Sequence, residues 1–467
     1  MIVPGEKSTR RMTECQVTPR RWAILAVFSL YSMSNQIQWI SYSTINDKVT
    51  AFYSVSTTTV DWLSMVFMVA YIPLIFPATW LLDKRGLRLT GYIGAFLNFL
   101  GAVIKCFSPY SKRFVVTFVG QTVCGIAQVF ILGLPARVAA VWFAEREVPF
   151  ATAIGVFGTQ LGVALGFLVP LIVPSIFATD SAEAFNLTID SNRDIYSHNF
   201  AVLYYVKTGI TGTLFLLVLF VFRDRPEHPP SPAQEAILQQ VAHTSHKEWI
   251  LILLKDRQFD ALALVFGIII GSFYAVGTLL TQLILYYFEG ETANAGYIGV
   301  TLVLAGLVAS VAFGLFLSWT GRFRETTIFV YGSSFAAMVI FMVVLHFSDG
   351  KIGLAFMVAT LLGFFMTGYM PVGYELAAEI TYPAPEGTTS GLLNCSAQIF
   401  GVILTLSMGE IVAWHGPLAA NGLIVAFLSV GTIITCCIKT NLKRTAICSK
   451  PATTPPVLPF TPPPIII

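Results

Sequence analysis

The chain has 467 residues, of which 55% are apolar and 11% charged, with a net charge of +3 and a mean hydropathy of +0.73. Soluble domains carry about 25% charge, so this composition belongs to a bilayer, and the small positive balance excludes a nucleic-acid surface as its main purpose. Seven cysteines without CxxC spacing exclude a disulfide framework or zinc site, and no Walker A loop, HExxH or nucleophile elbow points to an enzyme.

A hydrocarbon core about 30 Å thick needs about 20 apolar residues per helix. Twelve such runs can be drawn, at 22–45, 61–82, 89–107, 114–143, 149–176, 201–222, 259–288, 295–319, 326–346, 352–373, 387–412 and 417–438. The expected fold is an all-α membrane protein of twelve transmembrane helices in two six-helix bundles. Residues 1–21 form an N-terminal tail, 22–222 the first bundle, 223–257 a proline-rich linker with an amphipathic helix near 232–255, 258–439 the second bundle and 440–467 a disordered proline-rich tail.

The N-terminal charges Lys7, Arg10, Arg11, Arg20 and Arg21 have no apolar run before them, which argues against a cleaved signal peptide. With the N-terminus inside, the loops on that side hold twenty Lys and Arg and the opposite loops six, so both termini are expected in the cytoplasm. Asn186-Leu187-Thr188 is a glycosylation sequon in loop 177–200, which this topology turns outward.

The two halves repeat. Leu82-Asp83-Lys84-Arg85-Gly86-Leu87-Arg88 lies between helices two and three, and Leu317-Ser318-Trp319-Thr320-Gly321-Arg322-Phe323-Arg324 lies at the matching place in the second half. The first loop resembles the signature turn of the major facilitator superfamily, which implies a conformational-switch role for Asp83, Gly86 and Arg88. The second copy has Ser318 where the acid belongs. On helix five, Gly155, Gly158, Gly162 and Gly166 form a small-residue ladder for close helix packing.

Polar side chains inside hydrocarbon face a bundle interior or a watery cavity. Gln160 on helix five and Gln398 on helix eleven occupy equivalent helices at similar depth, as do Trp39 on helix one and Tyr274 on helix seven. Met68 on helix two can complete an apolar wall. Two rings and two amides without a nearby carboxylate suit a quaternary ammonium, held by cation–π attraction at roughly 0.5–2 kcal/mol per ring. An interfacial aromatic belt is the alternative for the rings, and bonding between neighbouring helices the alternative for the amides. The acids Asp61, Glu375, Glu379 and Glu410 lie towards span ends, which favours facilitated diffusion over proton coupling. Lys207 and Arg137 are the basic residues within spans, expected to snorkel or pair. No metal site and no cofactor is expected, and no histidine is placed as an intramembrane haem ligand.

Longer stretches resemble the feline leukaemia virus subgroup C receptor family: Gln38-Trp39-Ile40-Ser41-Tyr42, the run from Asp61 to Arg88, Ala127 to Gly133, Asn294-Ala295-Gly296, Gly363 to Tyr369, and Ile380-Thr381-Tyr382-Pro383 leading to Ser390-Gly391-Leu392-Leu393-Asn394. The resemblance covers roughly residues 20 to 445. It implies a facilitator of choline and ethanolamine, or in the older reading an exporter of haem. It also implies a ligand cage of Trp39, Gln160, Tyr274 and Gln398, with Asn35 and Met68 as weaker members. The expected protein is a monomeric uniporter at the plasma membrane, with the mitochondrial or endoplasmic reticulum membrane as the alternative.

Overall fold

The computed structural model describes residues 18–143, 147–172, 189–226, 246–347, 350–382, 384 and 386–438. Thirteen helices run through them. The first half comprises α1 (Arg20–Thr44), α2 (Asn46–Tyr53), α3 (Thr57–Lys105), α4 (Phe114–Leu132), α5 (Leu134–Trp142), α6 (Val148–Ile172) and α7 (Ile189–Val221). The second comprises α8 (His246–Leu253), α9 (Arg257–Tyr287), α10 (Thr292–Thr320), α11 (Phe323–His346), α12 (Ile352–Thr381) and α13 (Glu386–Cys437). Both tails and Asn186 lie outside the described residues, as does most of the linker apart from α8.

Helix α3 has 49 residues and α13 has 52. At 1.5 Å per residue each is more than twice the length a bilayer core can hold. Each therefore doubles back, α3 at Gly86 (φ 83°, ψ −177°) and α13 at Gly416 (φ 80°, ψ 173°), backbone that a Cβ disfavours. Ten segments among the described residues are long and apolar enough to cross a membrane, with Gly387–Cys437 counted once. Dividing it at Gly416 and adding α1, whose serines, asparagine and glutamines lower its hydropathy, yields twelve.

The face carrying Arg20, the Gly86 turn, Arg223 and α8 is termed the linker face, and the opposite one the far face. Gly86 is what the signature turn requires. A Cβ there would stand 2.6 Å from Asp224 Oδ1, and the same oxygen accepts from the Arg88 backbone N–H at 2.9 Å. Asp224, just past α7, thus caps the second limb of α3. The matching Gly321 ends α10 with φ 61°. The side chains of Asp83 and Ser318 are outside the described set.

The glycine ladder of α6 lies against α1, as its spacing predicts. A Cβ at Gly162 would sit 2.5 Å from Met33 O, so only glycine permits this approach. The halves meet where α1 faces α9, α3 faces α13 and α6 faces α10; Phe167 of α6, for example, packs on Gly299 of α10. This two-fold arrangement leaves the interior between the halves to α1, α6, α9, α12 and α13.

Candidate functional site

Between the halves lies a cavity of about 190 Å³. It reaches from the middle of the bundle towards the linker face, where Pro135, Thr152, Ala378 and Thr389 border it. Trp39, Gln160, Tyr274 and Gln398 all line it. Trp39 is 4% exposed, and its Nε1–H donates to Ser64 O at 3.2 Å, which fixes the indole plane. Across the boundary between halves, the Tyr274 ring meets it edge to face, with centroids 5.4 Å apart and planes at 80°. Gln160 Nε2 lies 3.8 Å from Met370 Sδ, a weak bond at most. Gln398 makes no hydrogen bond among the described residues and keeps its amide for the cavity.

Asn35 and Met68 are not in the lining. Asn35 is fully buried and donates to Asn98 Oδ1 at 2.9 Å and to Cys124 O at 3.0 Å, so it holds α1 to α3 and α4. Met68 is buried behind Tyr274, packed on Gly401. The lining also contains polar groups beyond the expected four. Gln128 Nε2 donates to Gln36 Oε1 at 3.4 Å, and Tyr374 Oη donates to Asn394 Oδ1 at 2.7 Å. Helical spacing links these to known members: Gln36 is three residues before Trp39, and Asn394 four before Gln398.

A further departure concerns charge. The sequence suggests a site with no carboxylate nearby, yet Glu375 borders the cavity next to Tyr374. Among the described residues it is the one acidic member of the lining, and no Lys, Arg, His or Cys joins it.

On the far face the cavity is sealed. Ser43 Oγ lies 2.9 and 2.5 Å from the carbonyls of Gly277 and Thr278, joining α1 to α9. Asp61 of α3 accepts from Asn46 Nδ2 at 2.8 Å and from Gln282 Nε2 of the other half at 2.9 and 3.1 Å. Removing Asp61 from water without a cation costs free energy that these amide donors offset only in this closed arrangement. The cavity is thus closed towards the far face.

Twelve spans in two related halves, with a central cavity between them, define a membrane solute transporter. Residues 24–405 match the Major Facilitator Superfamily, to which the chain belongs, within the feline leukaemia virus subgroup C receptor group. The chain is 46% identical over 430 residues to the choline/ethanolamine transporter FLVCR1 of Felis catus, covering 92% of this chain and 74% of that protein. It is 46% identical over 433 residues to the choline/ethanolamine transporter flvcr2b of Danio rerio, covering 92% and 86%. Among solved structures it resembles the major facilitator FucP in the outward conformation, with a TM-score of 0.65, 15% identity, and coverage of 90% of this chain and 98% of that one. That last likeness concerns the fold alone.

Proposed function

We propose that this protein is a uniporter of choline and ethanolamine, with the substrate ammonium held over Trp39 and Tyr274. The observation that carries the reading is the meeting of these two rings, one from each half, beside Gln160 and Gln398 at the closed end of the cavity. An ammonium there has two π systems and amide oxygens within reach, and desolvation raises the value of each cation–π contact. The amides serve the substrate hydroxyl. Ethanolamine adds N–H donors that choline lacks, and the same amides can accept them.

Alternating access follows from the two faces. The described state binds from or releases to the linker face, taken as cytoplasmic from the charge of its loops. Parting Asp61 from Gln282 and Ser43 from α9 opens the far face. Glu375 at the mouth and Asp61 at the seal lie outside the cage, which supports transport driven by the substrate gradient alone. The monomer holds the whole pathway, and the plasma membrane is its proposed location. The described lining residues include no Lys or Arg for propionates and no His or Cys for iron, which supports a small cation over haem.

The test is flux into liposomes containing only this protein. Radiolabelled choline and ethanolamine are expected to enter saturably, to compete with each other, and to need no proton or sodium gradient. Absence of flux refutes transport of these substrates, a strict gradient requirement refutes uniport, and haem efflux in place of amine flux restores the older reading.

A further inference from the structure

Lys105 and Lys207 are both buried within the first bundle, at 0% and 6% exposure. Lys105 ends α3, and its side chain turns inward. Lys105 Nζ donates to Gln38 Oε1 at 2.5 Å and to Gln121 Oε1 at 2.8 Å. Lys207 Nζ is buried with no hydrogen-bond partner among the described residues. Both ammonium groups approach the same Tyr42 ring, at 5.9 and 5.6 Å from its centroid. Neither has a carboxylate within ion-pair distance: the ion pairs among the described residues are Arg21 with Glu147 and Lys48 with Asp47.

Two like charges sharing one ring in a low-dielectric bundle repel each other, and each has lost its hydration. A single π face offsets little of that cost. Buried charges persist in membranes when something of opposite sign completes them. The amides of Gln38 and Gln121 already serve Lys105, while Lys207 keeps all its N–H donors unused and Lys105 keeps one.

We propose that Lys105 and Lys207, with the Tyr42 ring between α1, α3 and α7, form a binding site for one small monovalent anion of halide size. The anion accepts from Lys207 and from the free donor of Lys105 and offsets one of the two positive charges. The site stands directly behind the cage. Gln121 Nε2 donates to Gln38 O at 2.7 Å, and Gln38 precedes Trp39 in α1. Anion binding therefore lowers the positive charge that opposes an ammonium on the other side of the helix.

The site is tested on the purified full-length protein by thermal melting in sodium chloride, bromide or gluconate at equal ionic strength. Halide is expected to raise the melting temperature by several degrees with a saturable dose response. Lys207→Met, which removes the unpaired charge, is expected to abolish that response and to melt in gluconate no lower than the unsubstituted protein. Equal melting in all three salts, or a halide response that survives in Lys207→Met, overturns the site. Should Lys207→Met not fold, bromide located by anomalous scattering in the unsubstituted protein decides: bromide beside Lys207 supports the site and its absence refutes it. None of these readouts depends on choline being the substrate.

Discussion

Replacing Trp39 by leucine removes one π face from the cage while keeping an apolar side chain of helical character. Two costs are expected, and they separate. Leucine cannot donate to Ser64 O, and a void opens against Tyr274, so stability falls by about 2–4 kcal/mol, in the range for truncating a buried aromatic. For the ligand, loss of a desolvated cation–π contact is worth about 1–2 kcal/mol, which at tenfold per 1.4 kcal/mol weakens choline binding roughly 5- to 30-fold. Tyr274→Phe retains the ring and is expected to stay within about twofold, whereas Tyr274→Leu behaves like Trp39→Leu. Because the rings touch each other, the double leucine variant should weaken binding by less than the product of the single effects. The assay is initial-rate choline uptake over a concentration series, scaled to surface protein, alongside choline-induced thermal shifts of purified variants. Trp39→Leu and Tyr274→Leu with unchanged half-saturation at normal surface levels remove the ammonium from these rings.

Three further perturbations test the frame around the cage. Gly86→Ala forces a Cβ onto the Asp224 carboxylate at positive φ and should cost about 1–3 kcal/mol, seen as a lower melting temperature, with Asp224→Ala causing a smaller loss; an unshifted melt refutes the capping role. Asp61→Asn exchanges charge-assisted bonds worth about 1.5–3 kcal/mol for neutral ones, which should raise maleimide labelling of a cysteine placed at the sealed position Thr278 in detergent-solubilised protein; unchanged labelling means the seal lies elsewhere. Gly162→Val drives two methyls into the Met33 carbonyl and should abolish folded, monodisperse protein by size-exclusion chromatography, since over-packing here parts α1 from α6; a well-behaved variant contradicts the close approach.

Part of the cavity lining was legible because a repeat offers each position twice. Matching the first half with the second brought out Trp39 with Tyr274 and Gln160 with Gln398, and these four side chains do share one cavity. Asn35 shows where that reasoning stops. It lies four residues before Trp39 and shares its approximate helical face, yet the carbonyls of Asn98 and Cys124 draw it into the bundle, and its neighbour Gln36 takes the cavity position. A helical register narrows orientation to about a quarter turn, and the surrounding acceptors decide the rest. Tyr374, Asn394 and Glu375 were harder to see: all three lie near the ends of spans, where polar residues are ordinary.

The sequence by itself determined the spans, the turn at Gly86 and the pairing of the two halves, because the transfer of apolar side chains into lipid and the conformational needs of glycine are properties of local stretches. The tertiary structure alone decided which polar groups are satisfied and by what. It turned Lys105 inward to Gln38 and Gln121, set Lys207 against Tyr42, closed Asp61 on Gln282 and left the cavity open towards one face. These are long-range pairings across separate helices, and their free energies depend on burial and distance that no stretch of sequence contains.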